Sequence, residues 1–230
     1  IAYYEKVADL EPTAADAYRA LERLHRKQGN VDALAEFYER HIGAVSTPAE
    51  RIDLYVALGR LHEHERRDDE GAVDAYVNVL DLDGKHRESL LALSRLYKKN
   101  ASWDRAVATL VRLAEIEGDQ AVPLWFEAGE ILAKHLGEST SAEERLMKAL
   151  ELDPHHLPSL KALIELYKER EDWGKAQKIM LEAEHHTQNR LEKIQLLCEA
   201  ARVRHDHLDQ PEAAADVYAQ VLSLDPEHVV

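Results

Sequence analysis

Between Ser89 and Lys99 the apolar residues Leu90, Leu93, Leu96 and Tyr97 recur at steps of three and one, the spacing of one face of an α-helix. The polar break Asn100-Ala101-Ser102 follows, and then a second stripe of Trp103, Ala106, Val107, Leu110, Val111 and Leu113. Two amphipathic helices joined by so short a break form an antiparallel hairpin. The pattern predicts such hairpins near residues 14–45, 49–83, 87–117, 120–153, 157–187 and 190–225, preceded by one orphan second helix over Ile1 to Leu10. Asp153-Pro154 and Asp225-Pro226 read as helix stops, because proline cannot continue a helix and pushes its predecessor out of the α region. Pro211 reads as the opposite signal, a residue of the first helical turn. No stretch alternates apolar and polar with period two, so no strand is predicted.

The hairpins are not all equivalent. Leu80-Asp81-Leu82-Asp83, Leu150-Glu151-Leu152-Asp153 and Leu222-Ser223-Leu224-Asp225 end alike, at intervals of 70 and 72 residues, and Asp9-Leu10-Glu11-Pro12 gives a further copy. Leu21, Leu93 and Leu163 repeat at 72 and 70, as do His25, Tyr97 and Tyr167, and Val31, Trp103 and Trp173. The repeating unit is therefore a pair of hairpins. The chain opens without the first helix of a hairpin and closes on Glu227-His228-Val229-Val230, which resembles the start of another, so the expectation is a segment cut from a longer array.

Small residues fall where two helices of a hairpin would approach most closely: Gly59, Gly129 and Ala201 on first helices, Ala72, Ala106, Ala142, Ala176 and Ala214 on second helices. Tyr76, Tyr97, Trp125, Tyr167 and Tyr218 are placed to fill the holes beside them. Trp125, Ala128, Gly129 and Leu132, then Ala142, Leu146, Ala149 and Pro154, follow the order of large, small and aromatic positions in a 34-residue helix–turn–helix repeat. So do Tyr55, Leu58, Gly59, His62, Ala72 and Tyr76, and Leu160, Leu163, Tyr167, Ala176, Met180 and Ala183. Over essentially its whole length the chain resembles the tetratricopeptide repeat family. Three units carry an extra residue between their helices, and Gly84 stands where the family has proline. The resemblance implies an all-α, right-handed α-solenoid of about six stacked hairpins, read as a single repeat domain over residues 1–230. A lone hairpin cannot bury both faces, so neighbours stack.

Charge narrows the function. Lys and Arg number 29 against 44 Asp and Glu, a net of 29 − 44 = −15, which argues against nucleic acid as a partner of the whole molecule. No apolar run approaches a membrane span. No glycine-rich phosphate loop or nucleophile elbow is present. The single Cys198 reads as a small apolar filler. The 13 histidines lack metal-ligand spacing and read as solvated helix ends, with His25 and His62 in core-facing aromatic positions. The acidic pairs Asp68-Asp69 and Glu143-Glu144 fall at starts of second helices, where the dipole favours them. No catalytic residue, metal site or cofactor is predicted.

In the family, first helices line a concave groove that takes extended peptides or helices. The register assigns to that groove Arg19, Arg23, Val56, Arg60, Leu91, Arg95, Lys98, Phe126, Lys161, Lys168 and Arg202. Cations outnumber carboxylates there, so a mildly basic groove is expected inside an acidic body. Arg23, Arg60 and Arg95 occupy one column in successive hairpins, and Val56, Leu91 and Phe126 an apolar column expected to be exposed. An arginine ladder beside an apolar strip suits an acidic–hydrophobic peptide or helix. The inner columns lack the asparagine that carboxylate-clamp relatives use. The expectation is a non-catalytic protein–protein interaction scaffold, cytoplasmic, with self-association open. The alternatives are the repeat arm of a larger enzyme, such as a glycosyltransferase or kinase, and an RNA-processing scaffold.

Overall fold

The computed structural model describes residues 1–11 and 14–227, without the side chains of Asp9 and Ala15. Pro12 of the Asp9-Leu10-Glu11-Pro12 copy, and residues 228–230 of the expected further hairpin, lie outside the described residues. Among these there are thirteen α-helices and no strand. The chain divides into two compact units, Ile1–Ile116 and Glu117–Val230.

In the first unit α1 (Ala2–Leu10) precedes three hairpins: α2 (Ala15–Gln28) with α3 (Val31–Ala44), α4 (Pro48–Leu61) with α5 (Asp69–Leu82), and α6 (Arg87–Lys99) with α7 (Trp103–Glu117). Ala8 of α1 is buried in one cluster with Tyr18, Leu21, Leu34, Phe37 and Tyr38, so the orphan helix packs on the first hairpin. In the second unit α8 (Val122–Ile131) pairs with α9 (Ser139–Leu152), α10 (Leu157–Glu169) with α11 (Trp173–His186), and α12 (Arg190–Asp206) with α13 (Pro211–Leu224). Ile194, Leu197, Ala201, Val217 and Val221 form the core of the last pair. Helix starts are fixed by local side chains. Thr47 Oγ1 accepts from the Glu50 N–H, and Pro48 occupies the first turn, where its missing donor costs nothing.

The turns within hairpins are of two kinds, and they alternate. In the short kind one left-handed residue reverses the chain: Gly29 (φ 64°), Ala101 (φ 52°) and Glu171 (φ 55°). The Ser102 N–H closes on Tyr97 C=O at 2.8 Å, and that of Asp172 on Tyr167 C=O at 2.8 Å. In the wide kind the first helix ends in a π-wound turn, His62–Arg66 or Leu132–Leu136, before the left-handed Arg67 (φ 55°) or Gly137 (φ 67°). The Asp68 N–H then reaches back to His62 C=O, and that of Glu138 to Leu132 C=O, both at 2.9 Å. Asp209 (φ 52°) closes α12 in the same manner, with Gln210 N–H on Arg204 C=O at 3.0 Å. The extra residue in three units is absorbed in these wide turns, as inserted residues commonly are in π-bulges. Alternation of the two turns makes the period two hairpins long.

The small residues do what their positions suggest. A Cβ added to Gly59 would lie 2.8 Å from the Tyr76 ring, and one added to Gly129 would lie 2.8 Å from Leu146 Cγ. Ala72, Ala106, Ala142, Ala176 and Ala201 are fully buried. His25 and His62 lie in the core at 5% and 6% exposure.

Candidate functional site

The first helices carry the candidate face, and in the first unit its charges are engaged with one another. Arg60 of α4 donates through Nε to Glu88 of α6 at 2.7 Å, and Arg95 of α6 donates through Nε to Glu63 at 3.0 Å. The two pairs cross between the same helices in opposite directions. Glu63 also lies 3.4 Å from the hydroxyl of Tyr76, whose pKa is pushed up to about 12 by burial and then by Glu63. Arg19 pairs with Asp16 one turn earlier at 3.3 Å, and Arg23 is exposed. Arg60 and Arg95 thus face carboxylates of the chain itself. Val56 corrects the expectation of an exposed apolar column: it is buried, at 8% exposure, because α4 turns that side toward the core. Leu91 and Lys98 are half-buried.

The second unit differs. Between α8 and α10 lies a cavity of about 310 Å³. Phe126, Ala133, Leu146, Pro158, Ala162 and Leu166 give the apolar part of its lining, and Glu130, Lys134, Lys161, Glu165 and Glu169 the charged part. Phe126 is held edge-on to His156, with ring centroids 5.4 Å apart, and His156 Nδ1 is 2.8 Å from Ser159 Oγ. Lys134 pairs with Glu130, and Lys161 with Glu192 of α12. Lys168 binds Glu199 of α12 at 2.5 Å and Glu165 at 3.2 Å, and the Glu199 hydrogen bond raises its pKa. The Lys161 bond, and then the Thr187 hydroxyl, hold Glu192 below the usual carboxylate range.

Two shallower cavities continue along α10 and α12. One, of about 380 Å³, is lined by Lys161, Ile164, Glu192 and Leu196 among others; the second, of about 360 Å³, by Ile194, Gln195, Cys198, Glu199 and Arg202. Burial pushes the Cys198 thiol up, against the opposing effect of Arg202, which favours the unreactive protonated form. Of the residues assigned by register, Phe126 and Lys161 meet at one cavity, and Arg202 lines another. The register missed Glu192 and Glu199. Their seven-residue spacing matches that of Lys161 and Lys168, and this was the signal available. With these two carboxylates on the face, the expected basic excess is largely cancelled.

Among the described residues no three His, Cys, Asp or Glu side chains are grouped to hold a metal ion, and no helix is long and apolar enough to cross a membrane. Two tetratricopeptide repeat family models match, one over residues 17–52 and the other over residues 122–156.

The chain carries tetratricopeptide repeats.

Solved structures agree on the fold of these tetratricopeptide repeats. A crystal structure of MamA protein is 17% identical, with a TM-score of 0.53, and the match covers 79% of this chain and 98% of that one. Another MamA crystal structure is also 17% identical, with a TM-score of 0.51 over 74% and 95% of the two chains. The C-terminal part of a TPR repeat-containing protein from Cytophaga hutchinsonii is 14% identical, with a TM-score of 0.53 over 98% and 89%. No curated protein matches the chain by sequence. Within the tetratricopeptide repeats, the match at 122–156 spans α8, α9 and the turn that carries His156, so the cavity is bordered by one matched repeat and by the hairpin after it.

Proposed function

We propose that this tetratricopeptide-repeat chain is a non-catalytic interaction scaffold that holds a peptide or helix of a partner protein against its first-helix face. The α8–α10 cavity carries the reading. It has the size to admit one large apolar side chain, and its lining is mainly apolar with a few charged groups, the arrangement by which anchor residues are recognised. Carboxylates of the chain already accept from Arg60 and Arg95, so an acidic segment would have to displace Glu88 and Glu63 to reach them. The partner is accordingly read as a segment with an apolar anchor, its acidity secondary.

Peptides selected from a displayed random library on the full chain, then titrated by fluorescence anisotropy, test this. Filling the cavity with Ala162→Trp is expected to weaken the selected peptides at least tenfold at unchanged helicity. Arg60→Ala and Arg95→Ala should change their affinity less than threefold. Peptides that bind the filled variant equally well, or that lose binding chiefly with the arginines, would overturn the anchor reading.

A further inference from the structure

Histidine is abundant in this chain, and the interaction face uses little of it. Two imidazoles that the sequence separates by 31 residues meet at the surface of the second unit. His155 sits in the turn between α9 and α10, and His186 is the last residue of α11. Their Nδ1 atoms are 2.8 Å apart, His155 Nδ1 is 3.3 Å from His186 Nε2, and the ring centroids are separated by 4.2 Å. Asp153 Oδ1 accepts the His155 backbone N–H at 3.0 Å, which fixes the turn and places a negative charge in it.

The fold does not demand these histidines. One period earlier the same turn is built the same way, with the Lys85 N–H on Asp83 Oδ1 at 3.0 Å. There Lys85 stands in place of His155 and Ile116 in place of His186. The pair is a departure from the repeat, laid on a backbone that forms without it.

We propose that His155 and His186 form a two-imidazole surface site for a divalent late transition metal, Cu²⁺ or Ni²⁺. Imidazole nitrogens bind such ions at about 2.0–2.1 Å. His155 Nδ1 lies over the face of the His186 ring, so His186 turns about its Cβ–Cγ bond to aim its Nδ1 lone pair at a shared ion; two nitrogens held about 2.8 Å apart then subtend about 90° at the metal, the cis angle of the square-planar and tetragonal centres these ions prefer. Each ring would bind through Nδ1 with its proton on Nε2; the ring that donates the hydrogen bond first shifts its proton from Nδ1 to Nε2, so that bond is exchanged for two metal bonds without net proton release. Water fills the remaining positions, since no third protein ligand is grouped with the pair among the described residues. The bound ion ties the α9–α10 turn to the end of α11, across two hairpins.

Calorimetric titration of the full chain with NiCl₂, compared with His155→Gln, His186→Gln and the neighbouring control His185→Gln, tests the site. His155 and His185 are exposed and His186 is half-buried at the end of its helix, so helicity by circular dichroism should be unchanged. The tightest phase is expected at one ion per chain, retained in His185→Gln and weakened at least tenfold in each of the other two. Ni²⁺ should raise the thermal midpoint of the parent and of His185→Gln only. Equal affinity in all four proteins, or a loss in His185→Gln as large as in His186→Gln, overturns the proposal.

Discussion

Hairpins α4–α5 and α8–α9 stand one period apart and share a backbone, down to the π-wound end and the left-handed residue after it. They reach it with different side chains. At the first, His62 Nδ1 lies 2.8 Å from Asp68 Oδ2, and Asp68 Oδ1 accepts from the Gly71 N–H at 3.0 Å. At the second, Leu132 replaces the imidazole, Glu138 caps no backbone donor, and Ser141 stands in place of Gly71. A Cβ on Gly71 would come within 2.4 Å of Asp68 Oδ2 and 2.6 Å of His62 Nδ1, so the glycine belongs to the polar version of the turn. Ser141 meets no such neighbour and instead donates to Glu138 at 3.0 Å. A wide turn is thus a backbone solution that either a His–Asp–Gly or a Leu–Glu–Ser trio can support, provided its members match one another.

The close approach within each hairpin should break first. Gly59→Ala drives a methyl into the rigid Tyr76 ring, an overpacking cost of about 1–3 kcal/mol against a helix-propensity gain of roughly 1 kcal/mol. Gly129→Ala meets Leu146, whose side chain can rotate aside, so it should lower the denaturant midpoint less than Gly59→Ala. A reversed order would mean that the tyrosine moves more easily than its burial implies. The exchange of turn chemistry comes next. Gly71→Ser alone should cost about 1 kcal/mol, while the trio His62→Leu, Asp68→Glu and Gly71→Ser should cost less than the sum of its singles, since residues in contact couple by roughly 0.5–3 kcal/mol. Strict additivity in chemical denaturation would show that the trio is not a unit.

Acid gives the smallest effect. Asp68 is held below its ordinary value of 3.8 by the Gly71 N–H first, with burial opposing and His62 and Arg66 assisting. A carboxyl with a lowered folded pKa stabilises above its unfolded pKa, and that contribution is lost as pH falls through the folded one. Asp68→Asn should therefore flatten the decline in melting temperature below about pH 4.

Much of this was legible beforehand. The spacing of Leu90, Leu93, Leu96 and Tyr97 and the recurrence of Asp83, Asp153 and Asp225 are consequences of helix geometry and of stacked repeats. Sequence carries both directly, and the helices follow them. Gly59 and Gly129 were legible for the same reason, because only a missing side chain allows so close an approach. The burial of Val56 was not, since Leu91 and Phe126 in the same column are half-buried, so the difference lies in what packs around α4 and not in the residue's place along the helix. The partners of Arg60, Arg95 and Lys161 were also hidden: they come from a neighbouring first helix, the following one for Arg60 and Lys161 and the preceding one for Arg95, and a register worked out one helix at a time counts charges without pairing them.

Those pairings have a consequence beyond cancelled charge. Lys161 and Lys168 sit two turns apart on α10, as Glu192 and Glu199 do on α12, and both pairs form at once. Each surface ion pair contributes only about 0.2–1 kcal/mol. Hairpins that resemble one another, however, are prone to dock on the wrong neighbour or one turn out of place. A slip of a single turn along α10 would undo both pairs together, and the crossed pairs Arg60–Glu88 and Arg95–Glu63 guard the junction of α4 and α6 in the same manner. On these faces the charges act as a password between neighbours, securing fidelity of assembly where near-identical parts could be confused.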